Sequence, residues 1–149
     1  LGIAKYLMSN KKMNTTTCGV LITDGEQLLI CHPTNSKFWD IPKGRRDGME
    51  LIGDTAVREL REETGIVLAS SDVSYIRVWD YKPGKVMALF SYKTDSMPDP
   101  GSCVCVSTFE HDGRQIPEMD RWAVVSWQDA IARMNPDLAR ILSEAKDLI

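Results

Sequence analysis

The chain has 149 residues, 43% of them hydrophobic and 26% charged, which supports one globular domain that folds without disulfide or metal staples. Eighteen Lys and Arg stand against 21 Asp and Glu, a net charge of -3, and this disfavours bulk-charge binding to nucleic acid or an anionic membrane. Four cysteines (Cys18, Cys31, Cys103 and Cys105) without a C-x-x-C pair, and two isolated histidines (His32 and His111), argue against a zinc cluster.

Residues 1–14 carry Lys5, Lys11 and Lys12 around an apolar stretch too short for a signal segment or a membrane span. We expect a flexible extension there, a single domain over 15–149, and a cytoplasmic protein with reduced thiols. Thr15 to Thr23 and Gln27 to Cys31 are β-branched and apolar runs separated by Asp24-Gly25, which predicts an antiparallel hairpin. An irregular stretch follows through Pro33, Asn35 and Pro42. Residues from Ile52 to Thr64 predict a helix, with Gly53, Val57, Leu60 and Thr64 at helical spacing and Gly65 as its stop. Leu51 stands where a Ser or Thr cap is usual.

Val73 to Tyr81 and Lys85 to Tyr92 read as strands joined at Pro83-Gly84, and Cys103 to Phe109 and Arg121 to Ser126 as two more. Period-two spacing in the third of these puts the Cys103 and Cys105 thiols on one side of a strand. Glu110 to Arg114 reads as a surface turn, and Trp122 and Trp127 as core. Trp127 to Met134 and Asp137 to Leu148 read as helices broken at Pro136. The order implies an α/β (α+β) fold in which a mixed sheet packs between helices.

The chemistry concentrates between Gly44 and Ile66. On the predicted helix Glu59, Glu62 and Glu63 fall at i, i+3 and i+4, so their carboxylates share one face, which we expect to oppose the apolar stripe. The like-charge pair of Glu59 and Glu63 costs a few tenths of a kcal/mol by itself, about the usual i, i+4 penalty. An all-oxygen cluster suits a hard divalent cation, Mg²⁺ or Mn²⁺. Taken alone, these residues also describe a solvated acidic face with an ordinary Arg58–Glu62 pair. The full pattern decides the matter: glycine, five residues, glutamate, seven residues, then Arg-Glu-Leu-Arg-Glu-Glu-Thr-Gly-Ile. Its chance occurrence is on the order of 10⁻⁹ per starting position at ordinary residue frequencies.

This pattern resembles the signature of the Nudix hydrolases, with every specified position filled from Gly44 to Ile66. The resemblance implies an αβα sandwich and metal-dependent water attack on the diphosphate bridge of a nucleoside diphosphate derivative. It implies that Glu59, Glu62 and Glu63 hold metal with the Gly44 carbonyl, that Arg58 orients the glutamates, and that Glu50 braces the loop or meets a metal through water. For the general base it offers Glu59 or Glu118, the latter in Glu118-x-x-x-Trp122. Trp39-Asp40-Ile41-Pro42-Lys43-Gly44 is similar to a W-x-x-P-K-G run of the dinucleoside polyphosphate hydrolases in that family.

Lys43 and Arg45 are therefore candidate phosphate ligands, and Trp39 a candidate base platform or a core residue. Tyr81, Lys82 and Lys85 flank a turn able to frame a base or phosphate. A dinucleoside polyphosphate is the first-choice substrate, with nucleoside triphosphates, ADP-ribose and the triphosphate end of RNA as alternatives. The rival class, a nucleotide sensor without turnover, is disfavoured because all three motif glutamates are present. A purely structural acidic helix leaves the fixed motif positions unexplained.

Overall fold

A computed structural model describes residues 15–149; the expected extension over 1–14 lies outside the described residues. Strand β1 (Thr15–Thr23) is central. It runs parallel to β5 (Lys85–Lys93), which pairs antiparallel with β4 (Ser74–Lys82) across the predicted Pro83-Gly84 turn. On its other side β1 meets β2 (Gln27–Pro33) and β3 (Lys43–Arg45), and β2 pairs with β8 (Met119–Ser126). The sheet order is β4-β5-β1-β2-β8, with β3 also paired to β1, and a separate hairpin joins β6 (Thr108–His111) to β7 (Arg114–Pro117).

Alternation along β1 builds two cores. Cys18, Val20 and Ile22 point toward Ile52, Ala56 and Leu60 of helix α1 (Ile52–Thr64). Leu21 points the other way, toward Trp127 and Ala130 of α2 (Trp127–Arg133) and Leu138, Ile141 and Leu142 of α3 (Pro136–Lys146). The expected mixed sheet between helices is what forms. The four cysteines are free, and burial pushes the Cys18 thiol up to about 12 and raises Cys31 and Cys103. Among the described residues no helix is long and apolar enough to cross a membrane.

The sequence expectations need correction at three places. The β1–β2 hairpin is real at its turn, yet the two strands pair only at Thr23 and Leu28; β3, unforeseen in the irregular stretch, then takes the place of β2 beside Thr17 to Gly19. Residues 103–107 form no strand, because their amides serve a helix end instead: Val104 N–H donates to the Thr64 carbonyl at 3.0 Å and Val106 N–H to that of Glu62 at 2.8 Å. Cys103 is buried and Cys105 half-buried, not partners on one strand face. The third correction concerns α1 itself. Its buried stripe is Ile52, Thr55, Ala56, Glu59, Leu60, Glu63 and Thr64, so Gly53 and Val57 lie at its margin and two of the acids lie within it.

Candidate active site

Helix α1 begins without a side-chain cap at Leu51 and ends at Gly65, whose left-handed backbone (φ 79°) lets its N–H donate to the Arg61 carbonyl at 2.8 Å. The next carbonyls are also taken. Val106 serves Glu62, Trp122 Nε1–H donates to the Glu63 carbonyl at 2.8 Å, and Val104 serves Thr64. The C-terminal turn that carries Glu62 and Glu63 is thus fixed to the segment leading into β6 and to strand β8.

Glu59 and Glu63 do not oppose the apolar stripe as expected; they are 9% and 2% exposed. The reason is β3, which covers that flank of the helix. Lys43 N–H donates to Glu63 Oε1 at 3.1 Å, and a Cβ placed on Gly44 would fall 2.0 Å from the Glu59 carboxyl carbon. Glu62, one step around the helix, stays half-exposed.

Arg58 gathers the acids. Its Nε and Nη2 donate to Glu50 Oε2 and Oε1 at 2.9 and 3.0 Å, while Nη1 donates to Glu59 Oε2 at 2.8 Å and Glu62 Oε2 at 3.0 Å. Nη2 also reaches the Arg45 carbonyl at 3.0 Å. This forked pairing holds the Glu50 carboxyl down at about 2, and Glu50 Oε1 further accepts from Thr55 Oγ1 and Asp47 N–H. Glu50 therefore ties the loop to the start of α1 through protein contacts.

The other acids move the opposite way. Burial pushes Glu63 up to about 9, with Lys43 opposing. Burial, then the neighbouring Glu62, raises Glu59, and the same two causes raise Glu118. Glu118 lies just after β7 and enters the same cleft as Glu63. Its backbone is pinned by Glu118 N–H to the Ser107 carbonyl and Thr34 N–H to its own carbonyl, and its carboxylate accepts no hydrogen bond among the described residues.

These residues suit a hard cation. Among the described residues no three acidic, His or Cys side chains are grouped to hold a metal ion as they stand, and Arg58 holds Oε2 of Glu59 and of Glu62. Among the described residues, Oε1 of both and Oε2 of Glu63 accept no hydrogen bond. Three carboxylates with an unbonded oxygen each, two of them buried with their protonation favoured by burial, are what a divalent ion relieves.

The remaining candidates divide. Lys43 Nζ donates to Asp40 Oδ2 at 2.8 Å, so its charge is already matched; Arg45 is exposed and its guanidinium has no partner among the described residues. Trp39 lies at the rim of the α2–α3 core, with the guanidinium carbons of Arg121 and Arg133 each 5.5 Å from its ring centre and the His32 ring edge-on at 5.2 Å. Tyr81, Lys82 and Lys85 border a separate hollow of about 350 Å³, where Lys82 pairs with Asp137 at 2.9 Å. His32, given no role from sequence, is buried between Asp120 Oδ1 (2.6 Å) and the Ser36 carbonyl (2.8 Å), a brace for the loop after β2. Sequence reasoning missed the clamp of Trp122 on Glu63 and the position of Phe109 in the cleft. The Glu118-x-x-x-Trp122 spacing was the available signal for the first.

The family model described as NUDIX domain matches residues 13–145. An uncharacterized 17.7 kDa protein of the e-segB intergenic region of Enterobacteria phage T4 is 34% identical over 151 residues, covering 91% of this chain and 98% of its own. A Bacillus subtilis protein described as uncharacterized Nudix hydrolase YvcI is 32% identical over 85 residues, 54% of this chain and 52% of its own. The NUDIX domain of Shewanella oneidensis NrtR, solved with ADP ribose, superposes with a TM-score of 0.66 over 99% of this chain and 98% of that one at 17% identity, a likeness of fold.

Proposed function

This chain belongs to the NUDIX family of pyrophosphohydrolases that act on nucleoside diphosphate derivatives, and on that premise we propose that it hydrolyses a dinucleoside polyphosphate with Mg²⁺ or Mn²⁺. One observation carries the reading. Among the described residues Glu59, Glu62 and Glu63 each keep an unbonded carboxylate oxygen, with the Glu59 carboxylate packed against Gly44, on a helix end locked by its neighbours.

Glu59, Glu62 and Glu63, with the Gly44 carbonyl, would hold the cation. When bound, the cation would supply charge neutralisation of the diphosphate oxygens and of the leaving phosphate and would lower the pKa of a nearby water. Arg58 keeps the glutamates in register, and Glu50 keeps Arg58 in place. Water attacks a phosphorus of the bridge, the phosphorus–oxygen bond to the leaving phosphate breaks, and a carboxylate takes the water's proton. Glu118 suits that task better than Glu59, because its carboxylate is unbonded in the open cleft while Glu59 is held by Arg58. The Arg45 guanidinium, without a partner among the described residues, supplies a cationic partner for non-bridging oxygens, and Lys43 at the cleft wall supplies a second by sharing its charge between Asp40 and the phosphate. We place the chain in a reducing, cytoplasmic setting on its cysteine usage, four cysteines without a C-x-x-C pair.

The test is a chromatographic product screen with Mg²⁺, with and without chelator, against diadenosine tetraphosphate, nucleoside triphosphates, ADP-ribose and a triphosphate-ended RNA. Chelator-sensitive cleavage that is fastest on diadenosine tetraphosphate is expected. A different preferred substrate sinks the substrate assignment, and no turnover on any sinks the reaction.

A further inference from the structure

We propose that Phe109 is the base-stacking residue of this site and the reason it takes nucleotides over base-free diphosphates; this rests on the function proposed above. The cleft beside the acids has a volume of about 360 Å³. Asp40, Glu63 and Glu118 line it together with Pro33, Phe109 and Met119. A lining of carboxylates and apolar side chains in one cleft matches a phosphate chain held through a cation beside the acids and a flat apolar group against the ring. The volume lies at the small end of ligand clefts and suits one nucleoside, so the second half of a longer substrate extends outside.

Among the aromatic residues near the acids, Phe109 is the one left with this work to do. Trp39 engages Arg121, Arg133 and His32. Trp122 is committed to the Glu63 carbonyl, and Tyr81 accepts from Asn135 Nδ2 at 3.3 Å and lines the other hollow. Phe109 is half-buried, faces the cleft, and meets no other ring among the described residues.

Its placement is rigid. The β6–β7 hairpin closes through Asp112 and Gly113, both at positive φ (51° and 75°), a two-residue turn that fixes strand register. Phe109 pairs with Ile116, two residues before Glu118, and the hairpin base is tied to the end of β2 by Thr34 Oγ1–H to the Pro117 carbonyl at 2.6 Å. The hairpin that carries Phe109 leads directly into Glu118, so the same backbone places both at the cleft. A ring face accepts any base, so this residue selects for the presence of a base and not for its identity.

The experiment measures binding of 1,N6-etheno-ADP with Mg²⁺ present, by quenching of its emission on stacking, and competition by phosphoribosyl pyrophosphate as a base-free diphosphate. Phe109→Ala is expected to weaken the nucleotide roughly 10- to 100-fold, the span of one aromatic–base stack, and to abolish the quench. Phe109→Trp should stay within about threefold of the unaltered chain by the same principle, and phosphoribosyl pyrophosphate should bind all three alike. If the Ala variant misfolds by circular dichroism, Phe109→Leu replaces it and should show the same loss. Equal nucleotide binding with and without the ring, or equal weakening of both ligands, overturns the proposal. A chain that binds neither ligand overturns it together with the proposed function. Nucleotide binding with the Phe109 effect but no hydrolysis removes only the function.

Discussion

Gly44 packs so closely on Glu59 that a Cβ at position 44 would sit 2.0 Å from the carboxyl carbon. The carboxylate of Glu59 is thus admitted by the absence of a side chain at position 44. Gly44→Ala must push Glu59 away from β3, and overpacking of this kind costs about 1–3 kcal/mol. We expect the variant to fold with a lowered thermal midpoint and to lose roughly 100-fold in kcat, as catalytic misplacement of about 1 Å does. Activity within threefold of the unaltered chain would show that Glu59 does not depend on this contact.

As a proposed metal ligand, Glu63 would link metal and stability. Its carboxyl is raised from 4.5 to about 9, so the folded chain holds that proton more tightly than the unfolded one. Its contribution is therefore fully favourable below about pH 4.5 and is lost as pH climbs toward 9 in metal-free protein. Glu50, held at about 2, acts in the opposite sense, losing its contribution as pH falls below about 4.5, and does not overlap this window. Thermal scans in chelator should show a midpoint falling between pH 5 and 9, flattened in Glu63→Gln. Mg²⁺ should raise the midpoint most at the alkaline end, and less in the variant. The same substitution should cut metal-dependent turnover by on the order of 100-fold. A midpoint indifferent to pH in chelator would remove Glu63 from this role.

Glu118→Gln keeps shape and removes the proton acceptor. As the general base it should cost about 10²- to 10⁴-fold in kcat with little change in KM. Glu59→Gln, if Glu59 only holds the cation, should instead shift the Mg²⁺ concentration needed for half-maximal rate. A loss below a few-fold for Glu118→Gln transfers the proton to Glu59.

Trp122→Phe removes the 2.8 Å hydrogen bond to the Glu63 carbonyl and little bulk. One such bond is worth about 1 kcal/mol of stability, and outer contacts of metal ligands are worth roughly 10- to 100-fold in metal affinity. The expected signature is a raised Mg²⁺ requirement with near-normal kcat at saturating metal. An unchanged metal requirement would make Trp122 a packing residue only.

The Gly44–Ile66 pattern, the limits of α1 from Ile52 to Thr64, its Gly65 stop and the sandwich class were all legible in the sequence, because each rests on local periodicity or on residues close along the chain. What only the tertiary structure decided depends on contacts between distant segments. Three residues of β3 carry no strand signature of their own, yet their pairing with Thr17 to Gly19 buries Glu59 and Glu63 and turns a helix face expected in solvent into a lined pocket. Cys103 to Ser107 has the composition of a strand, but helix α1 has unmet carbonyls at its end, and the segment satisfies those instead of a sheet neighbour. Glu118 and Phe109 lie more than forty positions from the motif; the Glu118-x-x-x-Trp122 spacing nominates the first, nothing in the local sequence nominates the second, and the hairpin anchored on β2 places both at the cleft. Local pattern names the acids, and long-range backbone satisfaction places them.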